Sequence, residues 1–379
     1  MVINFQRYIQ ENLALADVHT NDQPSDRPWD ITVSDSRFYL RVLLQGSLGL
    51  GESYVEGYWD CEQLDEFFAR ILRNQIHEKV VPNNLTSVWE KFTSKIINLQ
   101  TIVNSFHVGK HHYDLGNDLF ENMLDKSMTY SCGYWQNANN LEQAQEAKLD
   151  LICRKLDLKA GMNLLDIGCG WGSFMKYAAQ NYGVSCVGLT VSKEQKQLGE
   201  EKCQGLPIKF YLQDYRQFES DEQKFDRVVS VGMFEHVGYK NYPTFMGIVS
   251  KKLKPEGLFL LHTIGNLHSV TYTELWIKKY IFPNSMIPSF AQIAAAAEDY
   301  LVIEDIHNFG QDYDKTLMAW LDNFDKNWHK LASKYGKKFY RIWKYFLCSC
   351  AGSFRARHSQ LWQIVFSKNG VLGGYNSVR

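Results

Sequence analysis

From Leu141 onward the chain alternates short apolar runs with amphipathic ones, and no other feature restricts its fold so tightly. The runs NLLDIG (163–168), VSCVGLT (184–190), IKFYLQDY (208–215), FDRVVSVGM (225–233), GLFLLHTIG (257–265), YLVIEDIHNFG (300–310) and QLWQIVFS (360–367) read as seven strands. Strands this continuously apolar belong to a sheet buried on both faces, and helices between them make it largely parallel. The stretches between have the helical period. Leu149, Ile152, Cys153 and Leu156 fall at i, i+3, i+4 and i+7, which makes Cys153 a core residue, and MKYAAQNY (175–182) is also helical. The expectation is an α/β domain built on a Rossmann-like seven-stranded sheet. Two connections, 266–299 and 311–359, are too long for ordinary loops and read as lids or substrate-binding inserts. Both are rich in aromatics, among them Trp276, Tyr280, Phe282, Trp320, Phe324, Trp328, Tyr345 and Phe346.

Residues 1–95 read as a separate, smaller and mainly helical domain, with residues 96–379 as the catalytic one. QGSLGLGESYVEGYWD (45–60) mixes glycines and aromatics, which suggests tight turns against a packed face. LDEFFARIL (64–72) is an amphipathic helix, and VVPNNLTS (80–87) has the composition of a linker.

Bulk properties exclude several classes. A net charge of -1 over 379 residues gives no sign of a nucleic-acid binder. No run reaches the roughly 18 apolar residues that span a bilayer, and the N-terminal sequence lacks the pattern of a secretory leader. The eight cysteines show no C-x-x-C pair, so a zinc site is not expected. Cysteines inside predicted strands and helices fit a reducing compartment, and the cytoplasm is expected.

Asp166-Ile-Gly168-Cys-Gly170-Trp-Gly172 closes the first strand and opens a helix. Glycines there permit a tight turn and the close approach of a ligand to backbone. Dinucleotide enzymes use similar turns, but they place an acid for the ribose at the end of the second strand. Here that strand ends Gly188-Leu-Thr190-Val-Ser192, with no acid before Glu194. The turn instead resembles that of class I S-adenosylmethionine-dependent methyltransferases. In that family the glycines meet the methionine part of the cofactor, and an acid after the third strand often meets the adenine. Asp214 is so placed; as a lone residue it also reads as a solvated turn acid.

More than this turn is similar. His112-Tyr-Asp-Leu-Gly-Asn-Asp-Leu-Phe120, Met128-Thr-Tyr-Ser-Cys-Gly-Tyr-Trp135, VGLTVSKEQ (187–195), VSVGMFEHVG (229–238), FLLHTIG (259–265), YIFPNSMIPS (280–289) and AGSFRAR (351–357) resemble the cyclopropane fatty acid synthase family and its mycolic acid relatives. The N-terminal GSLGLGESYVEGYWD resembles the phospholipid-acting members. The resemblance implies a methyltransferase that turns the cis double bond of a membrane-lipid acyl chain into a cyclopropane. It implies that Tyr130, Ser131, Gly168, Gly170, Thr190, Val191, Gln195, Asp214 and Tyr215 hold S-adenosylmethionine. It implies that Cys132 and Ile264, through backbone amides, and Glu235, His262 and Tyr313, through side chains, hold a bicarbonate ion. A homodimer, peripheral on the inner face of the membrane, is implied too.

The chemistry suits these residues. A plain alkene is a weak nucleophile, so attack on the sulfonium methyl relies on placement and on excluding water. The resulting carbocation needs an apolar, aromatic surround and then a base within hydrogen-bond reach. Taken singly, His262 reads as a satisfied core histidine, Glu235 as a helix-cap acid and most of the aromatics as ordinary core. Cys350 reads as structural or pocket-lining. Lys91, Lys95, Lys110 and the His107/His111/His112 cluster are candidate membrane contacts. The competing readings are a small-molecule or protein methyltransferase on the same fold, a methyl-branching lipid enzyme, and a non-catalytic lipid-binding module.

Overall fold

The computed structural model describes residues 5–21, 27–76, 100, 116–218 and 224–379. By Cα proximity it separates into two compact units. One comprises Met1–Ile97, Tyr272–Pro283 and Tyr313–Ser359, the other Asn98–Thr271, Asn284–Asp312 and Gln360–Arg379. The expected boundary at 95/96, the linker at 80–87 and the basic residues Lys91, Lys95, Lys110, His107, His111 and His112 lie outside the described residues.

The second unit is an α/β sandwich. Its strands are β3 (Asn163–Ile167), β4 (Ser185–Thr190), β5 (Ile208–Leu212), β6 (Phe225–Val231), β7 (Leu253–Asn266), β8 (Val302–Asn308) and β9 (Ser359–Ser367), all seven predicted segments. They form a seven-stranded sheet in the order β5-β4-β3-β6-β7-β9-β8. Pairings β3–β4, β4–β5, β3–β6 and β6–β7 are parallel, and β8–β9 is antiparallel. The two-residue side-chain period of a strand sorts the core into two layers. Leu165, Ile167, Val187 and Leu189 face one cluster with the helix Tyr242–Lys252, while Leu164, Cys186, Val229 and Leu260 face another with Leu149, Ile152 and Cys153. Cys153 is fully buried there, as its periodicity requires.

The chain builds outward from β3 through β4 and β5, then returns to lay β6 on β3's other side. That reversal opens a crevice at the carboxyl ends of the parallel strands. The loops that follow β3, β4, β5 and β6 all end at this edge.

The first unit begins with the helices Phe5–Ala14, Arg37–Val55 and Leu64–Arg73, and a small ladder of β1 (Ile31–Val33) on β2 (Trp59–Cys61). Residues 45–55 are helical, where turns were expected. Of that run only Gly46 (φ 57°), a kink inside the helix, and Gly57 (φ 81°), just past its end, take positive φ. The other glycines serve close packing: a Cβ on Gly51 would sit 2.3 Å from the ring of Trp276, which is almost wholly buried. Most of the insert aromatics pack on each other or on N-terminal rings. Trp276 and Tyr345 lie 4.4 Å apart, Tyr345 meets Phe68 at 5.1 Å, and Phe324 stacks with Tyr340 at 5.6 Å. Such aromatic pairs are ordinary core contacts in this unit.

Gly265 on β7 has the same packing logic. A Cβ there would lie 2.0 Å from the Trp362 ring on β9. Gly265→Ala is expected to destabilise the α/β unit by about 1–3 kcal/mol through overpacking. Denaturant unfolding reads this; an unchanged midpoint would show that Trp362 swings aside freely.

Candidate active site

The crevice holds a cavity lined by residues from every one of those loops. After β3, Gly168, Gly170 and Gly172 take φ of 88°, 54° and 82°, a left-handed series that other residues adopt only under strain. A side chain on Gly168 would also meet Met233, its Cβ 2.6 Å away. The turn feeds the helix Ser173–Tyr182, whose N-terminal N–H groups suit a negative group.

The second wall follows β4. Thr190 Oγ1 donates to Gln195 Oε1 at 2.9 Å, and Ser192 caps the next helix by accepting from Gln195 N–H at 3.2 Å. After β5, Asp214 is 3% exposed, so it is not a solvated turn acid. Its carboxylate holds Arg216 through two bonds of 2.8 Å and accepts the Arg216 N–H at 3.0 Å. The Tyr215 hydroxyl is buried with no partner among the described residues. After β6 comes Gly232, then the turn Phe234–His236.

A further wall comes from 128–131. Asp125 accepts the Thr129 N–H at 2.9 Å, and Gln145 Nε2 donates to the Ser131 carbonyl at 2.8 Å. All nine residues assigned to the cofactor by resemblance (Tyr130, Ser131, Gly168, Gly170, Thr190, Val191, Gln195, Asp214 and Tyr215) line this one cavity.

Sequence reasoning missed Lys148 and the state of Asp166. Both line the cavity and are almost fully buried. Lys148 Nζ donates to Ser131 Oγ at 2.9 Å. Burial lowers Lys148 to about 8, against the pull of Asp125, Cys132 and Asp166. Burial raises Asp166 to about 7, against the pull of Lys148. Asp166 Oδ1 has no partner among the described residues. A signal did exist: Gln145 and Lys148 fall on the same helical face as Leu141, Leu149 and Ile152, where a purely structural helix would be apolar.

The five residues assigned to bicarbonate are placed less uniformly, and none lines the cavity itself. Glu235 lies on the turn whose Met233, His236 and Val237 do line it. Its Oε1 accepts the Ile264 N–H at 2.7 Å, while Oε2 has no partner among the described residues. The Ile264 amide is thus engaged by the chain's own carboxylate. Burial pushes Glu235 up; the bond from Ile264 opposes this. His262, opposite Val231 in the β6–β7 register, has Gln363 Nε2 3.2 Å from Nδ1. Its Nε2 has no partner among the described residues. Burial first, then Lys148 and Lys155, hold it well below 6.5, so the ring is neutral. Cys132 is buried, its Sγ donating to the Gly133 carbonyl at 3.1 Å. Tyr313 belongs to the first unit, where its ring lies 4.7 Å from Phe354. Cys350 also falls in that unit and has its thiol pushed up to about 12 by burial, as an inert cysteine does.

The cavity therefore offers a buried cation, a buried carboxylate, a glycine turn and a helix N-terminus at one end, and Asp214 with a tyrosine at the other. This donor set fits a ligand with an amino-acid end and an aromatic-base end.

The comparisons with known proteins agree with this geometry. Residues 100–364 match the family described as mycolic acid cyclopropane synthetase. The cyclopropane-fatty-acyl-phospholipid synthase of Escherichia coli (strain K12) is 50% identical over 376 residues, 99% of this chain and 96% of that protein. A sphingolipid C9-methyltransferase of Komagataella phaffii (strain GS115) is 32% identical over 280 residues, 69% of this chain and 57% of that protein. The crystal structure of the mycolic acid cyclopropane synthase CmaA1 complexed with SAH and CTAB superposes with a TM-score of 0.65 at 32% identity, covering 69% of this chain and 98% of that one.

The charge state of Asp166 is testable in the ligand-free protein. The unfolded carboxyl ionises near 3.8 and the folded one near 7, so stability falls as pH rises between those values and the full cost is present above 7. Asparagine carries no such cost. Asp166→Asn is expected to stabilise the protein more at pH 8 than at pH 5, the difference being about 1–3 kcal/mol. Unfolding at the two pH values measures it; a pH-independent difference would mean that Asp166 ionises normally.

Proposed function

The chain belongs to the mycolic acid cyclopropane synthetase family, and from that premise we propose that it transfers a methylene group from S-adenosylmethionine to the cis double bond of unsaturated phospholipid acyl chains. The observation that carries this reading is a cavity with a zwitterion-binding end, beside a turn that presents a buried, partly unpartnered carboxylate, Glu235.

Bound S-adenosylmethionine supplies an electrophilic methyl group on a sulfonium. The chain's residues bind and orient it. Asp166 accepts from the α-ammonium group, Lys148 and Ser131 take the carboxylate, and the Gly168 and Gly170 backbone lies against the methionine. Thr190, Val191 and Gln195 hold the ribose, and Asp214 and Tyr215 flank the adenine. Tyr130 closes the methionine end.

With the cofactor bound, attack of the acyl alkene on its methyl carbon would break the methyl–sulfur bond, leave a neutral thioether, and put the positive charge on the acyl chain. Ring closure then requires removal of a proton from the transferred methyl group. Bicarbonate, when bound, supplies a small base of the right strength. Glu235 Oε2 and His262 Nε2, two buried atoms with no partner among the described residues, suit it: neutral His262 donates or accepts, and a raised Glu235 holds or takes a proton. The Ile264 amide, already taken by Glu235, joins only if that carboxylate shifts. Cys132 offers its amide. The enzyme works as a homodimer, peripherally, on the inner face of the membrane. No helix among the described residues is long and apolar enough to cross a bilayer.

A second reading, methyl branching without ring closure, is favoured by the likeness to the fungal sphingolipid C9-methyltransferase. The product separates the two. Incubation with S-adenosylmethionine and vesicles of cis-unsaturated phospholipid, followed by mass spectrometry of the fatty acids, is expected to show a gain of one CH₂ with loss of the double bond. A CH₂ gain with the double bond retained would establish branching; no lipid product would sink both.

Two substitutions refine the assignment. Glu235→Gln is expected to lower kcat by about 10²-fold or more while leaving cofactor affinity near wild type, since it touches proton removal alone. Lys148→Met is expected to raise KM for S-adenosylmethionine by about tenfold or more, with a smaller change in kcat. Steady-state kinetics distinguishes them, and an unchanged KM in Lys148→Met would remove that lysine from the cofactor site.

A further inference from the structure

No Asp or Glu occurs between Lys326 and Arg379, although the whole chain is nearly neutral. The first part of this acid-free stretch forms most of the helical element Gln311–Arg355, which is broken at Gly336 (φ 74°, ψ 165°). At 1.5 Å per residue, an unbroken helix would hold Phe324 and Tyr340 roughly 24 Å apart. Their ring centroids are 5.6 Å apart. Tyr340 OH also reaches Asp325 at 2.9 Å, and at the far end Arg355 holds Asp314 at 2.9 Å. The element is therefore an αα-hairpin that folds back at Gly336.

Its tip is basic. Lys330, Lys334, Lys337 and Lys338 are all exposed around the bend. The nearest acids in sequence are occupied, Asp322 by Lys326 and Asp325 by Tyr340. Between the lysines stand two half-buried rings, Tyr335 and Phe339, 4.7 Å apart, the second stacked on Trp343. Lysines around amphipathic rings match the headgroup layer of an anionic bilayer, where the charges meet phosphates and the rings reach the acyl boundary. Phosphates alone would need no rings, and an apolar partner would not tolerate four ammonium groups.

We propose that this hairpin tip docks the protein on anionic phospholipid bilayers. The inference rests on the reading that the substrate is an acyl chain of membrane phospholipid. It assigns the contact to a helical tip within the 311–359 insert and needs none of the basic residues near 91–112.

The test uses the full chain and the variant Lys330→Gln/Lys334→Gln/Lys337→Gln/Lys338→Gln, whose changes are all at exposed sites. Binding is measured by co-sedimentation with phosphatidylcholine vesicles with or without roughly one-third phosphatidylglycerol. The wild type is expected to favour the anionic vesicles and to lose that preference with added salt. The variant is expected to bind them at least about tenfold more weakly and to turn over lipid in zwitterionic detergent micelles at the wild-type rate. Tyr335→Ser is expected to weaken vesicle binding with little change in its salt dependence. Wild-type affinity of the variant for anionic vesicles would overturn the proposal, as would no preference for anionic vesicles in the wild type. A loss confined to binding of heparin or of acidic proteins would do so too. Absence of lipid product in micelles would instead count against the proposed reaction, and the sedimentation result would still decide the docking surface.

Discussion

Five parallel strands finish at one edge because the chain starts its sheet in the middle, builds outward through β4 and β5, and returns to the other side of β3. The reversal opens a crevice at that edge between β3 and its neighbours. Loops distant in sequence are thereby made neighbours: the glycine turn after β3, Thr190–Gln195 after β4, Asp214–Tyr215 after β5 and Gly232–Val237 after β6. Those after β3, β4 and β6 follow largely buried strands, while β5 is a half-exposed edge strand with only Phe210 buried. The site's precision comes from the sheet beneath it.

Inside that edge the electrostatics are set by burial more than by pairing. Lys148 and Asp166 are both shifted toward neutrality by desolvation, and each only partly restores the other's charge. Buried ionisable groups of this kind destabilise a fold unless something else uses them. The same holds for Glu235 and His262, each with one polar atom lacking a partner among the described residues. Four such groups within one unit mark a place organised around a ligand, because an apolar core of equal volume would be more stable. Gln145 and Gln363 extend the pattern: Gln145 anchors the Ser131 carbonyl and Gln363 lies beside His262 Nδ1, fixing the groups that face the site.

The first unit obeys a different rule. Its core is aromatic, and its glycines are small so that rings can come close: Gly51 beneath Trp276 is the clearest case. The sequence run 45–60 reads as turns because glycine favours turns, yet helix wins where a buried indole covers the position. Propensity yields to packing whenever the packing partner is large and distant in sequence. Trp276 stands more than two hundred positions away, which no local pattern reveals.

Strand and helix periods in the amino-acid sequence alone determined the α/β class, all seven strands and the core role of Cys153, because period-2 and period-3.6 burial is written locally. The glycine turn and the family strings also pointed to nine residues that the fold brings to one cavity. Tertiary structure decided the rest. That Lys148 is a buried cation beside Ser131, that Glu235 occupies the Ile264 amide, and that residues 311–355 fold back on themselves all depend on contacts between segments apart in the sequence; the Asp214–Arg216 pair is local, and only the burial of Asp214 needs the fold. Desolvation and hydrogen-bond partners are properties of a place in space, and a residue acquires them only when the sheet has brought its neighbours to it.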